Sequence, residues 1–308
     1  MSTLFSHFFQ KINQISPLES KFTEVLEPIA LKHKTLYFYG KMPENMMKTG
    51  NRPKTVAIVG SRHNTRYGEE IAYNLAYELG KRGVVVVSGL AYGIDSIAHR
   101  GCLAANGVTV AVLGTPIDEI YPKTHLPLAA EMLEKNGAII SEYTPGEKIF
   151  PKTSFLERNR LISGLSDIVI IVEAAERSGT LNTAAHALSQ GKMVFAVPGN
   201  ITNPYSKGCN SLIRQGAVPY TGPDDILKEL FPDEYIKNHQ KRRKITQIHG
   251  DTLEETAILR ALATGITNGS EIAEKMSLSP EDFNQAITIL ELKSSVRSLG
   301  ANNWTLTL

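Results

Sequence analysis

Four consecutive valines, Val84 to Val87, run directly into Ser88 and Gly89 and then on through Gly93 to His99, and this stretch limits the architecture more than any other. A run that is apolar and β-branched throughout cannot alternate between core and water. It fits a central parallel strand covered on both faces. Ser88 and Gly89 stop the strand. Gly89 and Gly93 permit a tight turn and a close approach of a ligand to the main chain, and Ser88 sets a hydroxyl beside amides that a new helix leaves unpaired. Such a turn suits an anion. It equally suits a helix start capped by Asp95 with nothing bound.

The same design recurs along the chain. TVAIVGSR from Thr55 to Arg62 is an apolar strand ending in Gly60, Ser61 and Arg62, and a helical pattern follows over 68–81 with Ile71, Leu75, Ala76 and Leu79 facing inward. Helical spacing over 97–106 leads to a strand at Val108 to Gly114, and a helix over 127–136 leads to GAIISEY. Two further strands run from Ser166 to Ala174 and from Lys192 to Gly199. Strands alternating with helices predict a doubly wound α/β sheet whose ligands sit outside the strands' carboxyl ends. Small and polar residues gather at that edge. Gly60, Ser61 and Arg62 make one candidate anion turn, Ser88 to Gly93 a second, and Arg177, Ser178, Gly179 and Thr180 a third. One such turn serves a mononucleotide, whereas several in a row suit a nucleic-acid strand, which offers a phosphate at every step.

Lys148 to Gly164 adds the other chemistry such a strand needs. Lys152, Arg158 and Arg160 bring positive charge, Phe155 a flat apolar surface, and Asn159 both a donor and an acceptor. Cations orient the backbone, and a base stacked on an aromatic gains roughly 1–3 kcal/mol with little sequence preference. The competing reading is a basic loop entering a helix whose Phe155, Leu161 and Ile162 are core.

At 308 residues with 42% apolar content, the chain can bury one large domain and a small one, while a formal charge of +2 leaves any polyanion site to a local concentration of bases. Residues 1–34 read as a short helical segment, with Leu4, Phe5, Phe8, Phe9 and Ile12 near helical spacing, and 35–230 as the main domain. Residues 231–251, which carry KNHQKRRK at Lys237 to Lys244, read as an exposed linker. Residues 252–308 hold three helical patterns and a terminal hairpin, the order of a winged helix. Its second and third helices carry Glu271, Glu274, Glu281 and Asp282 against Lys275, which favours a protein partner over phosphate. Cys102 and Cys209 have no metal-type spacing, and no run is long and apolar enough to span a bilayer or to export the chain. A cytoplasmic protein with no membrane association is expected.

The blocks VAIVGSR, SGLAYGIDSIAH, VAVLGTPIDEIYP, SEYTPG, FLERNRLISGLS, VEAAERSGTLNTAAHA, VFAVPGN and KGCNSLIRQGA, in that order, resemble the DNA-processing protein A family, also called DprA or Smf. The resemblance implies an extended Rossmann-like, mostly parallel doubly wound sheet with a small C-terminal winged-helix module. It also implies a homodimer that binds single-stranded DNA, shields it during natural transformation and helps load the RecA recombinase, without a cofactor. Carried onto this chain, it assigns DNA contact to Gly60, Ser61 and Arg62; to Ser88, Gly89 and Gly93; to Lys152, Phe155, Arg158, Asn159 and Arg160, with the arginines packing or pairing beneath the aromatic; and to Ser178, Gly179 and Thr180. Leu156, Asn182 and His125 depart from the family pattern. The alternative is a nucleotide-processing enzyme, N-glycosidase-like, on a related fold. Asp95, Asp118, Glu142 and Glu173 lie near the ligand edge with His99 and His186 on the helices that follow, but GTLNTAAHA lacks the carboxylate such enzymes place after the turn.

Overall fold

The valine run is indeed interior: the strand Val85–Ser88 is flanked on both sides by parallel neighbours. In chain order the elements are β1 (Asn13–Ile15), β2 (Leu36–Gly40), β3 (Thr55–Val59), α1 (Arg66–Lys81), β4 (Val85–Ser88), α2 (Ile94–Ala104), β5 (Thr109–Val112), α3 (Leu126–Glu134), β6 (Ala138–Ser141), α4 (Pro151–Gly164), β7 (Ile168–Ile171), α5 (Thr180–Ser189), β8 (Met193–Ala196), α6 (Lys207–Arg214), β9 (Val218–Pro219) and α7 (Pro223–Leu230). This is a computed structural model, and it describes residues 9, 11–29, 31, 34–46, 52–233 and 249–307. Two units are resolved by their internal packing, Met1–Leu230 and Phe231–Leu308.

Among the described residues of the first unit, nine strands form one sheet in the order β1-β2-β6-β5-β4-β3-β7-β8-β9. From β6 to β9 every neighbouring pair is parallel, with Ala57 opposite Val87 and Val87 opposite Val110. Strand β2 joins β6 antiparallel, and β1 joins β2 in the same sense. The chain winds outward from β3 through β4, β5 and β6, and α4 then carries it back to β7 on the other side of β3. That reversal opens a crevice at the carboxyl ends of β3 and β7.

Both faces of the sheet are apolar because both are covered. Val110 and Val112 pack with Leu161 and Ile162 of α4 and Ala184 and Ala187 of α5, whereas Ala111 and Leu113 pack with Leu103 of α2 and Leu128 and Met132 of α3. Strands β3, β4, β5, β6 and β7 are buried at every position, as their uninterrupted apolar sequence requires.

The N-terminal stretch differs from the helix expected of it. Leu4, Phe5 and Phe8 lie outside the described residues; Asn13–Ile15 is a strand, and Pro17–Glu19 and Glu24–Leu26 are single 3-10 turns. Pro17 holds Ser16 in an extended conformation, and the open edge of β2 supplies the hydrogen bonds a helix would otherwise have made internally. Phe22 and Leu26 are fully buried in the main core.

In the second unit, α8 (Leu253–Ala263), α9 (Gly269–Lys275) and α10 (Pro280–Leu292) precede an antiparallel hairpin, β10 (Val296–Gly300) with β11 (Asn303–Leu306). Thr252 and Ser279 cap α8 and α10 by accepting the amides of Glu255 and Asp282, and Ile258, Leu262, Ile272, Phe283, Ile287 and Leu290 form the core. These are the helix order and terminal hairpin of a winged helix. The basic run 237–244 lies outside the described residues.

Candidate nucleic-acid interface

A groove of about 510 Å³ lies at the crevice and gathers the first turn, the start of α4 and the third turn. Gly60, Ser61, Arg62, Lys152, Phe155, Arg158, Asn159, Ser178, Gly179 and Thr180 all line it; Ser88, Gly89, Gly93 and Arg160 do not.

The first turn forms because Gly60 has no side chain: a Cβ there would sit 2.6 Å from Cγ1 of Ile94 at the start of α2. The Ser61 hydroxyl donates to the carbonyl of His63 (3.0 Å) and accepts that residue's amide (3.1 Å), which curls the backbone and leaves Arg62 exposed. The Arg62 guanidinium stands 5.4 Å from the ring centroid of Phe155, and among the described residues it makes no ion pair. Lys152 is exposed in the first turn of α4, one helical turn ahead of Phe155. Phe155 is half-buried: it packs on Gly114, where a Cβ would come within 2.7 Å of its ring, and its centroid is 5.5 Å from that of Tyr121.

The third turn is stitched to its surroundings. The Thr180 hydroxyl donates to the Gly60 carbonyl (3.1 Å), Ser178 donates to Thr180 Oγ1 (3.1 Å), and Asn159 Nδ2 donates to the Gly179 carbonyl and to Asn182 Oδ1 (3.3 Å each). Asn182, where the family more often has an aliphatic residue, is therefore accommodated as the acceptor for Asn159. His125, a second departure, is buried and donates from Nδ1 to the Leu90 carbonyl at 2.8 Å.

The second turn is not the open cradle expected of it. Ser88 is fully buried and donates its hydroxyl to the Ile58 carbonyl (2.7 Å), and the Gly89 amide is already held by Asp95 Oδ2 (3.1 Å). The Ile94 amide donates to the Ser61 carbonyl (3.2 Å). Gly93, at φ +75°, lets that contact form, since a Cβ would fall 2.3 Å from the same carbonyl oxygen. Ser88 and Gly89 thus support the first turn from behind, while Ala91 and Asp95 reach the groove wall. Asp95, which the sequence offered as the alternative to an anion at this turn, supplies the carboxylate that holds Gly89.

Arg158 packs beneath the aromatic and Arg160 pairs with a carboxylate, so neither is the free charge that the basic segment alone suggested. Arg158 is 3% exposed, and its Nη1 donates to the Gly89 carbonyl (2.7 Å) and to the Val112 carbonyl. Burial pushes its pKa down to about 10, against the opposing pull of Asp95. Arg160 pairs with buried Glu142 at 2.6 Å. Both arginines thus brace loop ends beneath the groove, and the supply of charge to it falls to Arg62 and Lys152. Burial raises the Asp95 carboxyl above its ordinary range, with Arg158, the Ala91 and Gly89 amides and Arg62 pulling the other way. His99, fully buried with Nδ1 2.7 Å from Thr109 Oγ1, is lowered to about 3, chiefly by burial. Glu173 accepts the Thr65 amide (2.9 Å) and hydroxyl (2.6 Å). Among the described residues no group of three or more His, Cys, Asp or Glu is placed to hold a metal ion, and no helix is long and apolar enough to cross a membrane.

His63 and Tyr205 line the groove, and Tyr121 flanks Phe155, although sequence reasoning singled out none of them. For Tyr121 a signal was present in the IDEIYP block, an aromatic at the carboxyl edge of the sheet just after β5.

A doubly wound sheet with exposed cations and a half-buried aromatic around its switch-point groove defines a Rossmann-like protein. The chain belongs to the DNA recombination-mediator protein A family, the DprA/Smf proteins, whose family model matches residues 13–231. It is 49% identical over 175 residues to Protein Smf of Escherichia coli, a match covering 57% of this chain and 46% of that protein; the chain spans about half the length of several curated relatives it matches. Two solved structures are similar to it. DNA processing protein A of Streptococcus pneumoniae aligns with a TM-score of 0.63 at 37% identity, over 73% of this chain and 76% of the other. DNA processing protein A of Helicobacter pylori, described for its single-stranded DNA binding mode, aligns with a TM-score of 0.62 at 33% identity, over 74% and 98%.

Proposed function

We propose that this chain binds single-stranded DNA without sequence preference through the switch-point groove, and does so as a non-enzymatic recombination mediator. The observation that carries the reading is the convergence of Arg62, Lys152 and Phe155 on one groove, two exposed cations beside one stacking ring. Sequence independence is supported by what the groove's hydroxyls do. Those of Ser61, Ser178 and Thr180 each donate their one proton within the protein, leaving backbone charge and ring stacking as the dominant contacts. The non-catalytic reading is supported in the same way, because Asp95 and Glu173 are held by backbone amides and Glu142 by Arg160.

On this reading the protein works in the cytoplasm as a homodimer that protects incoming DNA during natural transformation and helps load RecA. For the dimer, the surface around α6 supports the reading, with Leu188 59% and Ile201 82% exposed beside it. The second unit is a protein-interaction module: Lys275, the base on α9, is paired to Glu271 at 2.7 Å. The test is fluorescence anisotropy with a labelled single strand, a duplex and a mononucleotide across a salt series. Preference for the single strand, with affinity falling as salt rises, is expected; a preference for the mononucleotide accompanied by turnover would give the N-glycosidase-like alternative the advantage.

A further inference from the structure

The groove continues past Phe155. A second concavity of about 610 Å³ shares Phe155 and Pro151 with it and is walled by Tyr121, Ile149 and Phe150. Phe150 is 82% exposed and Tyr121 45% exposed, so two large rings face solvent at the mouth of one depression, immediately before the helix that carries Lys152. Folding gives Phe150 almost no burial. A ring displayed in that way beside a second displayed ring is suited to a flat apolar guest.

The polar groups around it narrow the guest further. Lys148 is the one cation among the lining residues, and Glu119 and Glu147 are also present. Glu147 accepts the Thr144 amide at 2.9 Å, and the Thr115 hydroxyl donates to the Glu119 carbonyl at 2.6 Å. Two carboxylates disfavour a phosphate inside the depression, while an uncharged base is free of that repulsion. Phe155 and Pro151 line both cavities, and the Tyr121 ring of the second stands 5.5 Å from that of Phe155.

We propose that the depression between Tyr121 and Phe150 is a second nucleobase subsite. It takes a base of the strand whose backbone lies on Arg62 and Lys152, beyond the base that stacks on Phe155. The proposal rests on the reading of the groove as a single-strand site. It lengthens the footprint along the strand and assigns Phe150 a role as a stacking platform.

The experiment compares wild type, Phe150→Ala, Phe150→Trp and Arg62→Glu by anisotropy on two labelled probes at low salt: an oligothymidylate and an abasic sugar-phosphate strand of the same length. Because Phe150 is exposed, its replacement leaves the fold intact. Expected for Phe150→Ala is a roughly tenfold loss on oligothymidylate with an unchanged salt slope and no loss on the abasic strand, and for Phe150→Trp full retention. Wild-type binding of oligothymidylate by Phe150→Ala, or an equal loss on both probes, overturns the subsite. If Arg62→Glu loses binding while Phe150→Ala does not, the subsite alone falls; if wild type fails to bind oligothymidylate, the groove reading falls with it.

Discussion

The first and second turns invite comparison because their sequences are built alike: a buried apolar strand, then serine and glycine, then a helix. The turn at Gly60 to Arg62 reaches solvent and displays a guanidinium; in the turn at Ser88 to Gly93 the serine and first glycine are buried, held by Ile58 and Asp95, and Gly93 is pressed against the first turn. What separates them is where each helix start finds its acceptors. Helix α1 begins with Thr65 as its cap and Glu173 holding the Thr65 amide, and Arg62 ahead of it is exposed. Helix α2 begins within a few residues of its strand, and its first amide reaches the Ser61 carbonyl. Amides at a helix start attract anions in general, but a carboxylate already present satisfies them. Glycine-serine loops at a sheet edge therefore differ in how many of their polar groups the fold itself has already taken.

The sharpest way to break this contrast is charge reversal at the open turn. Arg62→Glu or Lys152→Glu is expected to weaken single-strand binding by on the order of 100-fold at low salt and to flatten the log-log salt slope by about 1; an unchanged slope in the anisotropy titration would remove either residue from the interface. Phe155→Ala comes next, with a loss of roughly 1–3 kcal/mol and the salt slope preserved. A simultaneous fall in both would mean that the ring supports the fold or the cations and does not stack.

Under the closed turn the expected effect is on stability and follows pH. His99 is neutral when folded, lowered to about 3 from 6.5, so between those values the unfolded chain binds a proton that the folded chain refuses. Stability is therefore complete above pH 6.5 and declines as pH falls below it, at up to about 1.4 kcal/mol per pH unit. Asp95, whose carboxyl is raised, acts with the opposite sign above 3.8, since the folded chain there retains a proton the unfolded chain releases. The two oppose each other wherever both titrate, so the His99 contribution is read as a difference between variants. Urea midpoints of the first unit's transition in the full chain should fall more steeply below pH 6.5 in wild type than in His99→Asn, whose amide nitrogen can replace the Nδ1 donor to Thr109. Smallest of all is Ser88→Ala. It removes the hydrogen bond to Ile58 and is expected to cost about 1 kcal/mol in unfolding free energy while single-strand affinity stays within about twofold. A large affinity loss there would reopen the second turn as a contact surface.

Much of the architecture was legible because its signals are local. Continuous apolar runs at Val56 to Val59, Val85 to Val87 and Ile168 to Ile171 can only be two-sided strands, and helical spacing between them fixes the crossovers and hence the edge at which the loops collect. The three helices and hairpin of the second unit were legible for the same reason, through the helical spacing of Ile258, Leu259 and Leu262 and the inward Phe283, Ile287 and Leu290. The site was legible in outline, since the residues that line the groove come from three loops at one edge. Nothing local distinguished Arg62 and Lys152, which face out, from Arg158 and Arg160, which face in.

By itself, then, the amino-acid order determined the parallel sheet, its helices and the edge at which the polar loops collect, since each depends on residues within a few positions of one another. Tertiary structure decided which turn stays open, which arginines keep their charge for a ligand, and that Asn13–Ile15 extends the sheet instead of starting a helix. Those outcomes depend on partners far along the chain: Ser88 on Ile58 at 30 residues' separation, Arg158 on Gly89 at 69, and Thr180 on Gly60 at 120. A hydrogen-bond donor is available to a ligand only when no carbonyl or carboxylate within the fold has already taken it, and only the folded chain brings such acceptors within reach.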